Sequence, residues 1–346
     1  MKWAITGISG FMGQHMVQYL LKKKQKVTGI DLSPFNPKEA AKSVHFVQGD
    51  IRNKDTLRKA FKDVDVIVHA AAALPRWKKE DIFSVDVDGT RNVYEVAEEL
   101  GIKRVIFISS TAVYGLPKTH PISEEYPLEG VGPYGEAKVQ GEAIVRSFRE
   151  KGMIAPIIRP KTFVGSIRLG IFSVIFDWVY HHKNLPMLGK ANNLYQLLDV
   201  DDLCDAIYKT GTLPKSKVNQ EFNIGATKFG TVRDHINSLM AAEKYEGKII
   251  SFAPWLVIPP LKLLDKLKLS PFYEWSYATI YKDHYVDVSK AQKVLGWKPK
   301  LSSEQSLTNS YLWYKKHYDE VQGKEGITHT VQWNAGILKY IMDWFF

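Results

Sequence analysis

The order of apolar runs in this chain predicts a doubly wound, parallel α/β sheet with a second, smaller lobe. Three observations carry the expectation. Short strand-like runs alternate with helical patterns through the first 158 residues, and such alternation builds βαβ units. Val66-Ile67-Val68 and Val105-Ile106-Phe107-Ile108 show no polar alternation, as suits strands covered on both faces. The chain has 346 residues, 45% hydrophobic and 24% charged, an ordinary globular composition with ample material for a core.

The elements follow in order. Lys2–Thr6 reads as a strand and Phe11–Lys24 as a helix; Lys26–Asp31 and Val44–Gln48 read as strands. Asn53–Phe61 reads as a helix, Asp65–His69 as a strand, and Asp81–Leu100 as one long helix stopped by Gly101, glycine being a usual residue beyond a helix end. Arg104–Ser109 is expected as a strand, Tyr134–Glu150 as a helix and Ile154–Ile158 as a strand. Beyond Pro160 helices are expected at Phe172–His181, Leu197–Thr210 and Thr231–Lys244, while Ser251–Trp275 is apolar but broken by Pro254, Pro259, Pro260 and Pro271. The expected division is a dinucleotide-binding domain over 1–165, with return segments near 196–230. A substrate lobe over 166–195 and 231–320 and an apolar tail over 321–346 complete it.

Composition narrows the setting. Cys204 is the sole cysteine, so no internal disulfide or paired-cysteine metal site forms, and a reducing compartment is expected. The start of the chain lacks the layout of a secretory signal. No apolar run reaches the ~20 residues that span a bilayer. A cytoplasmic protein is expected, with peripheral membrane contact as an option. The net charge of +10 favours anionic partners or a lysine-rich solvated surface. Signatures of nucleic-acid-binding modules are absent, so nucleic acid is not an expected partner. His181-His182 lacks a spaced third ligand, and no metal site is expected.

Chemistry begins at Gly7-Ile8-Ser9-Gly10-Phe11-Met12-Gly13, which follows a strand and opens a helix. In such a Rossmann turn Gly7 permits the tight bend, Gly10 lets the backbone approach a pyrophosphate, and Gly13 lets helix and strand pack closely. The phosphates then meet unpaired N–H groups at the helix start. Asp31 ends the next strand about 20 residues on, where an acid hydrogen-bonds the ribose of NAD and repels the extra phosphate of NADP. It also has the makings of a turn cap, since Ser33-Pro34 follows. Tyr134 and Lys138 share one helix face, and a nearby ammonium favours a phenolate, which suits Tyr134 to proton transfer.

The motif order then becomes specific. Gly7-x-x-Gly10-x-x-Gly13, Asp50-Ile51, His69-Ala70-Ala71-Ala72, Ser109-Ser110-Thr111-Ala112-Val113-Tyr114-Gly115 and Tyr134-Gly135-Glu136-Ala137-Lys138 resemble the extended short-chain dehydrogenase/reductase family. That family includes NAD-dependent epimerases and dehydratases of nucleotide sugars and 3β-hydroxysteroid dehydrogenase-like enzymes. The resemblance runs to about residue 315 through Arg159-Pro160, Asp199-Val200-Asp201-Asp202-Leu203-Cys204-Asp205-Ala206, Phe222-Asn223-Ile224-Gly225 and Leu295-Gly296-Trp297-Lys298-Pro299. It implies that Ser110 bonds the reacting oxygen, that Tyr134 moves the proton, and that Lys138 lowers the tyrosine pKa and holds the nicotinamide ribose. It implies that Phe11 and Met12 join the glycines at the cofactor, that Asp50 and Ile51 contact adenine, and that Ala70, Ala71 and Ala72 line the cofactor's path. The implied reaction is hydride transfer at a secondary hydroxyl of a nucleotide sugar, or, as the alternative, of a hydrophobic alcohol at a membrane surface. A homodimer is also implied.

Two departures stand out. Asp86-Val87-Asp88-Gly89-Thr90 occupies the place of the family's Asn-Val-x-Gly-Thr. Asn193-Leu194-Tyr195-Gln196 lacks the arginine that sugar-nucleotide epimerases carry for the diphosphate, leaving Arg168 as either a substitute or a surface-loop residue. The apolar stretch 251–275 and the tail, with Trp333, Ile337, Tyr340, Ile341 and Trp344 at helical spacing before Phe345-Phe346, fit core packing, a membrane surface contacted through 331–346, or the wall of a greasy pocket. Cys204 is expected in the core.

Overall fold

A computed structural model describes residues 1–35, 40–266, 274–323 and 328–332. In chain order the first half contains β1 (Lys2–Thr6), α1 (Phe11–Lys22), β2 (Lys26–Asp31), β3 (Val44–Gln48), α2 (Lys54–Ala60), β4 (Val66–His69), α3 (Lys79–Phe83), α4 (Thr90–Glu99), β5 (Arg104–Ile108), α5 (Gly132–Glu150) and β6 (Ile157–Pro160). The second half contains β7 (Phe163–Val164), α6 (Ile171–Tyr180), β8 (Leu185–Leu188), β9 (Leu198–Asp199), α7 (Val200–Thr212), α8 (Lys215–Val218), β10 (Glu221–Ile224), α9 (Val232–Glu243), β11 (Ile249–Phe252), α10 (Pro254–Lys266), α11 (Glu274–Thr279), α12 (Ser289–Leu295) and α13 (Ser303–Lys316).

Seven parallel strands form the central sheet in the order β10-β6-β5-β4-β1-β2-β3. The doubly wound parallel sheet predicted above is therefore present. Its strands are apolar because both faces are covered. One face packs α1, α7 and α12 around Trp3, Ile5, Ile106, Leu203 and Cys204. The other packs α2, α4 and α5 around Ile67, Val105, Phe107 and Val145. A third cluster joins α6, α9 and α13 around Phe176, Leu239, Tyr311 and Tyr314. Neighbouring strands β2 and β4 flank β1, so the chain reverses its winding direction there, and a crevice opens at the carboxyl ends of these strands.

Several element ends differ from expectation for local reasons. The strand expected at Ile154–Ile158 is displaced to Ile157–Pro160, because Pro156 has no N–H for the ladder; Ile154 makes only an isolated bridge to Arg104. The long helix expected at 81–100 is interrupted by a wide π-type turn at Ser84–Gly89, where Thr90 Oγ1 donates to the Asp86 carbonyl (2.7 Å). The start of the helix expected at Leu197 is instead β9, paired with β7. Thr231 closes a capping box with Asp234, which places the start of α9 after it. Pro259 and Pro260 lie inside α10 rather than ending it. The expected tail helix at 333–346 lies outside the described residues.

One buried polar network fastens α5 to the sheet. Arg159 on β6 donates to both carboxylate oxygens of Glu142 on α5 (2.8 and 2.6 Å) and to the Tyr114 hydroxyl (2.8 Å). Ser109 Oγ also donates to Glu142 (2.7 Å), and Tyr114 donates to Asn223 on β10 (2.7 Å). Both charges are out of water. Removing one partner of such a pair strands the other. Glu142→Gln is therefore expected to cost about 3–5 kcal/mol, with a lowered Tm in thermal unfolding. Arg159→Met with Glu142→Leu is expected to recover most of that loss.

Candidate functional site

The crevice is a cavity of about 1510 Å³ that runs from the glycine turn to the α6–α9–α10 lobe. At its sheet end Gly7 follows β1 with φ +77°, and a Cβ there would lie 2.8 Å from the Ala71 amide nitrogen. A Cβ on Gly13 would fall 2.3 Å from the Gly7 carbonyl oxygen. These contacts hold α1 and the β4 loop against the turn without filling the space above it. Gly10 caps α1 in extended conformation with no side-chain acceptor, and the first-turn N–H groups have no partner within the helix. Phe11 and Met12 line the cavity there with Gly10 and Gly13. The cradle accommodates a pyrophosphate, which the helix start favours electrostatically.

The floor beside it is fixed by a relay that sequence reading missed. Thr6 Oγ1 accepts from the Ala70 and Ala71 amides (both 3.1 Å) and pairs with His69 Nδ1 (2.8 Å). His69 Nε2 pairs with Thr90 Oγ1 (2.9 Å), whose hydrogen goes to the Asp86 carbonyl. Thr90 therefore accepts from Nε2, and Thr6 donates to Nδ1, which assigns the Nε2–H tautomer. Burial, aided by the Lys138 charge, pushes His69 down to about 3, so the ring stays neutral. Ala70, Ala71 and Ala72 line the cavity above this relay. The signal was the threonine preceding the glycine turn, which no spacing rule singled out.

Asp31 ends β2 at the cavity rim and accepts from the Ser9 and Ser33 amides (both 2.9 Å). It thus caps the turn at Ser33 and also ties the glycine turn to β2. Burial raises its carboxyl above the usual value against these two bonds. Asp50 and Ile51 lie further along the same rim. Asp50 accepts from Arg52 at Nε (2.9 Å) and at Nη2 (2.5 Å). Burial pushes that carboxyl up, but the Arg52 bonds outweigh it and hold it below the usual range.

Ser110, Tyr134 and Lys138 converge on the wall between the two ends. Ser110 follows β5 and accepts from the Ala112 amide (3.1 Å), near enough to Tyr134 to draw its phenol down. Pro133 in the first turn starts α5 two residues earlier than expected, at Gly132. Lys138 Nζ lies 5.6 Å from the Tyr134 ring centre and 3.5 Å from Asp86 Oδ2, both partners of that ion pair being buried. Asp86 Oδ1 accepts from the Ala73 amide (2.6 Å). Burial and the Asp86 charge push the Tyr134 phenol well above an ordinary tyrosine, against the Ser110 bond and the Arg168 charge. The lowering expected from Lys138 is therefore not what sets the Tyr134 phenol here.

Arg168 is not a surface-loop residue. It is 6% exposed, lines the cavity, and lies over the rings of Phe11, Phe163 and Phe172 at 5.2, 5.7 and 5.6 Å. Tyr195, in the stretch that lacks an arginine, lies buried in the wall beneath Lys161 Nζ (4.9 Å). Lys161 pairs with His284 Nδ1, and burial lowers its amine well below an ordinary lysine. The far end is apolar, with Phe172, Ile175, Trp178, Met187, Leu239 and Leu261 in its wall. Lys161 carried no sequence signal, because a buried lysine looks like any other until its neighbours are placed.

Comparison with known proteins agrees with this geometry. The family described as "NAD dependent epimerase/dehydratase family" matches residues 3–225. An uncharacterized protein, y4nG, of Sinorhizobium fredii is 32% identical over 313 residues, covering 90% of this chain and 78% of its own length. A putative UDP-glucose 4-epimerase of Methanocaldococcus jannaschii is 26% identical over 326 residues, covering 90% and 98%. The crystal structure of a UDP-glucose 4-epimerase with UDP-glucose from Thermotoga maritima shares the fold, with a TM-score of 0.77 at 22% identity over 92% of this chain and 100% of that one. With its glycine cradle, its acidic rim and its tyrosine–lysine pair on one wall, the chain belongs to the NAD dependent epimerase/dehydratase family.

Proposed function

We propose that this NAD-dependent enzyme acts on a secondary hydroxyl of a nucleotide sugar, with Tyr134 moving the proton, Ser110 holding the reacting oxygen and Lys138 holding the cofactor ribose. The observation that carries the reading is the convergence of Ser110, Tyr134 and Lys138 on one stretch of the cavity wall, with Lys138 Nζ 5.6 Å from the Tyr134 ring centre. The relative named for UDP-glucose 4-epimerase activity supports the substrate class. Bound NAD supplies the hydride acceptor, and in an epimerase the same carrier returns the hydride to the other face. The glycine turn and the amides of Phe11 and Met12 hold the phosphates, Asp31 the adenosine ribose, and Asp50 and Ile51 the adenine. During oxidation the hydroxyl proton passes to Tyr134 as the carbonyl forms; during reduction it returns. Arg168, a buried cation in the wall, serves the diphosphate in place of the arginine absent at 193–196.

A second reading has an observation of its own. The apolar far wall suits an alcohol with a hydrophobic body. The helix α10 that contributes Val257, Pro260, Leu261 and Leu264 to that wall exposes Trp255 (77%), Leu256 (58%) and Leu263 (59%) on its other side. No helix among the described residues is long and apolar enough to cross a membrane. Exposed Trp and Leu beside lysines on a chain of charge +10 suit contact with an anionic bilayer surface instead. Val331, where the tail begins, also lines the cavity.

Tyr134→Phe is expected to lower kcat at least ~100-fold while NAD binding persists; unchanged turnover would remove the proton-transfer role. Asp31→Ser is expected to narrow the preference for NAD over NADP by about tenfold, measured as the ratio of the two Kd values, because ~1.4 kcal/mol of repulsion is removed. In a thermal-shift screen with NAD present, UDP-glucose at 100 times its Kd is expected to add about 2.7 kcal/mol of stability. A rise only with long-chain secondary alcohols would select the second reading.

A further inference from the structure

We propose that Asp86 is a positioning residue that balances the charge of Lys138, so that Tyr134 gives up its proton only when the positive nicotinamide of oxidised cofactor lies beside it. The inference rests on Tyr134 as the proton carrier. Its basis is the placement of one carboxylate. The wide turn at Ser84–Gly89 brings Asp86 between the floor of the cofactor site and the catalytic wall. One oxygen accepts from the Ala73 amide at 2.6 Å, next to the alanines lining the cavity. The other lies 3.5 Å from Lys138 Nζ. An amide in this position would make the first contact equally well, but it would leave the ammonium uncompensated.

The surrounding groups set the balance. Tyr134 faces Ser110 from the end of β5, Lys138 from its own helix, Asp86 from the wide turn and Arg168 from the loop before α6. His69, at the end of β4, lies near Lys138 and is neutral. Lys138 and Arg168 therefore favour the phenolate, and Asp86 opposes it from a buried position. In a low-dielectric wall opposite charges at this distance cancel much of each other's field at a third group. Without cofactor the phenol remains protonated. A cationic ring alongside restores the positive field that Asp86 has removed, and the proton then leaves at lower pH. The carboxylate thereby makes the base conditional on oxidised cofactor.

The test reads Tyr134 directly. Protein carrying [13Cζ]tyrosine is titrated by NMR with and without NAD, and the Tyr134 resonance is assigned by its loss in Tyr134→Phe. Asp86→Asn is expected to move the onset of Tyr134 ionisation down by one pH unit or more without NAD, the size a charge ~4–6 Å away produces. It is expected to shrink the further drop that NAD causes in the native protein. Lys138→Met moves the onset up. If Asp86→Asn does not fold, Asp86→Ser removes the same charge and is read in the same way. An onset unchanged by either substitution overturns the proposal and leaves Asp86 a packing residue. A shifted onset together with undiminished turnover in Tyr134→Phe would instead overturn the proton-carrier reading.

Discussion

Arg159 and Glu142 form a fully buried ion pair, and the geometry of the site depends on it. Glu142 lies one helical turn beyond Lys138 and two beyond Tyr134 on α5. Arg159 lies in β6, beside the strand that delivers Ser110. Fixing Glu142 to Arg159 and Ser109 therefore sets the rotation and height of α5 against β5. A pair that is energetically near neutral against an apolar replacement is nonetheless directional: the guanidinium fork accepts one orientation of the carboxylate, whereas apolar side chains would tolerate a slide of the helix.

The cofactor end is organised differently. There the constraint is closeness of backbone, and side chains serve to hold loops in place. Gly7 and Gly13 let β1, α1 and the β4 loop meet within van der Waals distance. Thr6 Oγ1 then accepts from the two amides that such closeness brings together, and His69 holds that hydroxyl in place. The chain continues from this floor through Asp86 to Lys138. The glycine cradle and the Tyr134–Lys138 wall thus share a framework, joined by Asp86.

This division explains what was legible in the sequence. The strands β1 and β2 have the boundaries expected from their apolar runs, because covered parallel strands have few alternatives, and the edge strand β3 matches as well. The glycine turn was legible because its physics lies in the backbone and its spacing is local. Tyr134 and Lys138 were legible as a helix pair. The interruption at 84–89 was not, since a π-type turn within a helical pattern changes no periodicity that a short window detects. The wall formed by Arg168, Lys161 and Tyr195 was legible only in part: Arg168 stood as one of two alternatives, and Lys161 carried no signal. Its members come from segments that meet only after β7 pairs with β9 and α9 packs on α13. Loose amphipathic patterns after residue 160 specify burial, but not which buried face borders a cavity.

The unequal legibility follows from the cavity itself. Cofactor recognition uses N–H groups at a helix start and one acid at a strand end, features that any sheet of this winding presents at its reversal point. The other end of the cavity is lined by side chains from α6, β8, α9, α10 and α11, and Arg168 bridges the two ends, lying over Phe172 of α6 and Phe11 of α1. A change from Phe172 or Trp178 to a polar residue would leave the sheet and the glycine turn as they are, yet alter what that wall accepts. An apolar lining also contributes affinity in proportion to area and little direction, so the orientation of the reacting hydroxyl falls to a few polar groups. Among the polar groups that line the cavity, Ser110 and Tyr134 lie on the wall and Arg168 is a buried cation over Phe11 and Phe172, so a ligand's polar atoms meet these before the apolar end.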